Sequence, residues 1–108
     1  MDRRANERHN VWFPMTVVCD GGEEGTAITF DVSSTGLLMA CAGSLEVGQH
    51  VTLCFELSSD SKPRKIPGTI RRVDPREGAG PWHFRMAVEF DQPHFELEAQ
   101  IKAEAAQD

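Results

Sequence analysis

TAITFDVSSTGLLMAC, residues 26–41, already implies what kind of fold this chain adopts. Residues 26–32 and 37–41 are dominated by β-branched and apolar side chains, which suit a pleated, half-buried surface. Between them, Ser33-Ser34-Thr35-Gly36 is turn chemistry: hydroxyls that bond local backbone, then a glycine with an unrestricted φ. The segment therefore predicts two short strands joined by a tight connection.

The same alternation continues on both sides. Upstream, residues 11–18 place Val11, Phe13, Met15 and Val17 on one face, and Gly21-Gly22 supplies the turn. Downstream, residues 50–57 follow the Val47-Gly48 turn and point Val51, Leu53, Phe55 and Leu57 inward. Residues 66–73, with Arg71 and Arg72, predict a half-solvated, edge-like strand. Residues 82–90 alternate again, with Phe84, Met86, Val88 and Phe90 opposite His83, Arg85 and Glu89. Beyond them Pro93 suits a first helical turn, and Leu97, Ile101 and Ala105 share a helical stripe. The expectation is a mainly all-β fold: a six-stranded antiparallel β-barrel with a short C-terminal α-helix. Closure removes the exposed edges that would otherwise invite aggregation.

Composition narrows the function. A chain of 108 residues has room for one domain, and its net charge of −6 argues against a protein that lives on duplex nucleic acid. The longest uncharged stretch, residues 32–45, is broken by serines and glycines and falls short of the roughly 20 apolar residues of a membrane span. The charged amino terminus has no apolar segment behind it and is not a secretory signal, so the chain is expected in the cytoplasm. Cys19, Cys41 and Cys54 have neither disulfide nor zinc spacing and are expected as buried free thiols. Positive charge gathers in residues 62–76, where Lys62, Arg64, Lys65, Arg71, Arg72 and Arg76 face one acid, Asp74. An anion should bind toward such basic segments, away from the acidic tail.

Two groups can carry chemistry. Arg4 and Arg8, four apart, share a face if their segment turns helically, and each guanidinium can fork onto a phosphate or a guanine edge while stacking on a purine. Asp31 can accept the donors of guanine, Ser33 can reach a phosphate or ring nitrogen, and Gly36 allows backbone close to a ligand. Arginines beside a carboxylate fit a ligand that combines phosphate with a hydrogen-bond-donating base. Arg3, His9 and Arg72 are supplementary candidates. Trp12 and Trp82 read as packing or barrel-mouth residues. No nucleophile elbow, phosphate-binding loop, catalytic carboxylate pair or metal-ligand cluster is legible, so no enzyme, metal or cofactor is expected.

With R-x-x-x-R at Arg4 and Arg8, V-x-F-P-M-T-V in the first strand and D-x-S-x-x-G at Asp31, Ser33 and Gly36, the chain resembles the PilZ domain family of bacterial cyclic di-GMP receptors. The likeness extends through Gly48-x-x-Val51-x-Leu53-x-Phe55, Gly68-x-Ile70-x-Arg72 and Phe84-Arg85-Met86-x-Val88-x-Phe90. It departs at Ala87, where the family usually has glycine. The resemblance implies a flexible arm over residues 1–10 that clamps cyclic di-GMP with Arg4 and Arg8, and a PilZ-like barrel with its helix over residues 11–108. Asp31, Ser33 and Gly36 would form the barrel side of the site. It implies a protein partner in motility, biofilm, adhesion or envelope regulation, with the receptor a monomer or homodimer. With Arg4 so near the start, output is expected from this domain's own surface or a separate partner. Two alternatives stay open: a protein-interaction barrel, related to type IV pili or motility, whose nucleotide site is vestigial, and a single-stranded RNA-binding barrel. The acidic total and lack of an aromatic ladder count against RNA.

Overall fold

Alternation in the sequence becomes a closed surface because every inward row has somewhere to pack. In a computed structural model, which describes residues 13–56, 62–76 and 80–106 (side chains to residue 100), six strands are followed by one helix. They are β1 (Phe13–Cys19), β2 (Glu24–Val32), β3 (Gly36–Cys41), β4 (His50–Glu56), β5 (Pro63–Pro75), β6 (Phe84–Phe90) and α1 (Phe95–Ala106). The strands close into a barrel in the order β1-β2-β3-β6-β5-β4, all neighbours antiparallel. Thr16 opposite Cys54 and Cys19 opposite Val51 make the closing seam. Val11 and Leu57, expected on the inward rows, lie outside the described residues.

Met39, Leu53, Ile70, Met86, Val32 and Val51 are the largest apolar side chains fully removed from water inside the barrel. Each such burial contributes about 1.5–3 kcal/mol. From α1, Leu97 joins this core, as its helical stripe predicts, while the side chains of Ile101 and Ala105 lie outside the described residues. Cys19 and Cys41 are buried free thiols, and burial pushes the Cys41 thiol up to about 11. Cys54 is only half-buried, since it stands on the outer side of a strand whose inward row is Val51, Leu53 and Phe55.

β5 is not an edge. It pairs with β4 from Pro63 to Thr69 and with β6 from Gly68 to Pro75, so both its backbone rims are used. Its outward arginines are solvated, which gives the strand an edge-like composition without an edge position. Pro67 lacks a donor but still serves the fold, its carbonyl accepting the N–H of Asp91 at 3.0 Å.

His50 ties three strand ends together. Its Nδ1 lies 3.0 Å from Asp20 Oδ1, just past β1, and its Nε2 lies 2.9 Å from Asp91 Oδ2, just past β6. Only the imidazolium can donate from both nitrogens at once. The bonds to Asp91 and Asp20 raise its pKa above the usual value, against a smaller opposing effect of desolvation. A raised folded-state pKa gives stabilisation that is complete below about 6.5 and is lost as pH climbs through the folded value. Urea midpoints are expected to decline modestly above about pH 6.5 in the wild type, with a flatter profile for His50→Ala. A profile identical in both proteins would refute the tether.

Candidate functional site

The connection between β2 and β3 is built from its own hydroxyls. Ser33 N–H donates to the Gly36 carbonyl at 2.9 Å, Ser33 Oγ donates to the same carbonyl at 3.3 Å, and Thr35 N–H donates back to Ser33 Oγ at 3.3 Å. Ser33 and Ser34 are buried. Two further backbone bonds fasten the turn to the end of β6 and the start of α1: Phe90 N–H to Thr35 O at 2.8 Å, and His94 N–H to Ser34 O at 2.7 Å.

Glycine at position 36 answers to strand packing. A Cβ there would lie 2.3 Å from the Val88 carbonyl oxygen, so the close approach this glycine permits is between β3 and β6. Gly68, on the other neighbour of β6, is constrained in the same way, since a Cβ there would lie 2.8 Å from the Glu89 carbonyl oxygen.

Asp31 follows a bulge. Thr29 faces Met39 and Asp31 faces Leu38, which leaves Phe30 as the extra residue. Thr29 Oγ1 donates to the Leu38 carbonyl at 2.9 Å at this level, and the Arg85 guanidinium lies 5.3 Å from the centre of the Phe30 ring. Asp31 is half-buried, with Oδ1 fully out of solvent.

An open groove of about 320 Å³ runs along the seam of β3 and β6, lined by Ser33, Thr35, Gly36, Leu37, Leu38, Ala87, Val88, Arg71 and Glu89. It brings Ser33 and Gly36 together; Asp31 pairs across from Leu38 on the neighbouring strand and does not itself line the groove. Ala87, in place of the expected glycine, lines it as well. Arg4 and Arg8, with the supplementary Arg3 and His9 and with Trp12, lie outside the described residues. Arg72 sits elsewhere: its Nε donates to Asp74 Oδ2 at 2.7 Å, in a separate depression shared with Pro75, Arg76 and Arg85. The arginine in the groove is Arg71, whose Nε donates to Glu89 Oε1 at 2.7 Å. Sequence reasoning misses it because two adjacent arginines look alike in a strand until a bulge is seen to separate them.

Trp82 is half-buried and lines a different cavity, of about 540 Å³, with Val17, Cys41 and Leu45 at a barrel mouth. Among the described residues, no group of three or more histidine, cysteine or acidic side chains could hold a metal ion. No described helix is long and apolar enough to cross a membrane.

The model of a protein family described as the PilZ domain matches residues 2–107. No curated protein sequence matches. Among solved structures, the barrel is similar to the Bacillus subtilis inhibitor of motility MotI/DgrA, at 15% identity and a TM-score of 0.74 over 99% of this chain and 51% of that one. The chain thus spans about half the length of that relative. It is similar to the PilZ domain of YcgR from Escherichia coli, solved with c-di-GMP, at 12% identity and a TM-score of 0.71 over 98% of this chain and 91% of that one. A third likeness is the K. pneumonia MrkH–c-di-GMP complex, at 13% identity and a TM-score of 0.66 over 95% of this chain and 51% of that one. At these identities the structures establish the shared fold.

Proposed function

The chain belongs to the PilZ domain family, and on that premise we propose that it is a cytoplasmic, non-enzymatic receptor for cyclic di-GMP that orders its amino-terminal arm over the barrel and signals to a protein partner. The observation that carries this reading is the D-x-S-x-x-G turn lying against a groove on a barrel whose fold is that of c-di-GMP-bound neighbours. The turn provides a fixed platform, since its own hydrogen bonds and its two bonds to the β6–α1 junction hold it in shape. Asp31 offers a carboxylate to guanine, and Arg4 and Arg8 close on phosphates and purine faces from the arm of residues 1–10. A partner in motility accords with the B. subtilis neighbour's description as an inhibitor of motility.

Calorimetric titration of the intact chain tests the reading. Saturable heat is expected with cyclic di-GMP and much less with cyclic di-AMP. Asp31→Ala should lose about tenfold of that preference, the value of one charge-assisted hydrogen bond, without unfolding. Silence toward both nucleotides, with a protein partner still bound, would favour a vestigial site. Binding of oligonucleotides with steep salt dependence would favour RNA.

A further inference from the structure

Arg71 owes its place to a slip in pairing. In the β5–β6 ladder Ile70 faces Val88 and Arg72 faces Ala87, so Arg71 is the unopposed residue of a bulge. Such insertions re-aim a side chain. Here the bulge sends Arg71 and Arg72 to different places: Arg71 lines the groove with Ser33, Thr35 and Gly36, and Arg72 lines the depression with Arg85. Each binds a neighbouring carboxylate through Nε at 2.7 Å, Arg71 that of Glu89 and Arg72 that of Asp74.

The Arg71–Glu89 pair lies open to water, with side chains 60% and 54% exposed. Exposed pairs of this kind are weakly held. A phosphodiester offers a guanidinium two non-bridging oxygens, a two-pronged acceptor that is easily exchanged for a surface carboxylate. Glu89 lines the same groove and adds a negative charge that a dianionic ligand must approach.

Resting on the cyclic di-GMP reading above, we propose that Arg71 and Glu89 are an exchangeable ion pair that sets the affinity of the groove: Arg71 leaves Glu89 to bind a phosphate of the dinucleotide, and Glu89 is the anion that competes for it. The guanidinium then has an anionic partner in either state, Glu89 without ligand and a phosphate with it. Without ligand, the carboxylate neutralises Arg71, which disfavours capture of unrelated anions. With ligand, the exchange adds a barrel-borne cation to those of the arm.

The experiment is calorimetric titration of the full chain with cyclic di-GMP in wild type, Arg71→Ala, Arg71→Lys, Glu89→Gln and Arg72→Ala, with thermal unfolding of each protein in the absence of nucleotide. Arg71→Ala is expected to weaken binding about tenfold and Arg71→Lys by less. Glu89→Gln should tighten binding about threefold, and Arg72→Ala should stay within about twofold of wild type. The Glu89→Gln gain is the signature that a merely structural pair would not give. If the wild type takes up no cyclic di-GMP, the receptor reading itself fails. If it binds and Arg71→Ala binds equally well, or Glu89→Gln binds more weakly, the receptor reading stands and the exchange does not.

Discussion

Alanine at position 36 is expected to destabilise the barrel by about 1–3 kcal/mol, the range for forcing an extra methyl into filled space. At about 4–8 °C per kcal/mol for a domain of this size, the melting midpoint should fall visibly in circular dichroism. The methyl carbon would sit 2.3 Å from the Val88 carbonyl oxygen and 3.3 Å from the Glu89 Cα, both backbone atoms that cannot rotate aside. Nor can β6 retreat, because Gly68 packs at its other flank, where a Cβ would meet the Glu89 carbonyl at 2.8 Å. Gly25→Ala supplies the contrast, since nothing lies within 4 Å of a Cβ there. Equal melting of Gly36→Ala and wild type would show that β3 and β6 are less closely held than the geometry states. A fall in nucleotide binding by Gly36→Ala is thus to be read only beside its stability.

Arg8→Ala should weaken cyclic di-GMP binding about tenfold or more, and Arg4→Ala/Arg8→Ala should bring it below detection, with the unliganded melting midpoint unchanged in both. Opposing free energies set the outcome. Fixing four residues of the arm costs about 4–8 kcal/mol of backbone entropy. Charge-assisted hydrogen bonds return about 1.5–3 kcal/mol each, and stacking on a purine about 1–3 kcal/mol. On the proposed arm-ordering reading, two arginines working with Asp31 would offset the ordering cost and one arginine alone would not. Titration of the two variants beside the wild type decides it, and wild-type affinity in the double variant would remove the arm from the mechanism.

The barrel was legible in residues 26–41, 50–56 and 84–90 because a period of two appears wherever one face is buried and the other wet. The helix was legible from Pro93 and Leu97. β5 was harder: Pro63 and Pro67 interrupt its start, and the pair Arg71-Arg72 breaks the alternation just where the bulge falls, so its reach and its two partners were hidden. Local pattern carries no information on which strand lies across a closed seam. The turn of residues 33–36 was visible in its residue types, and Gly36 was noticed for its missing side chain, but the strand that this absence accommodates was not legible. Gly36 accommodates the backbone of β6, more than 50 positions later in the chain, a contact that only the fold creates. Glu89 read simply as the wet side of β6 for the same reason.

The amides of Phe90 and His94, which rest on the carbonyls of Thr35 and Ser34, make the loop and the root of α1 a single mechanical element. Opening the loop strips one acceptor from the end of β6 and one from the root of α1, and lifting the helix leaves the Ser34 carbonyl to water. A molecule gripping that loop therefore leans on α1 as well, and on the exposed Phe95 at its first turn, through bonds already in place before any grip is applied.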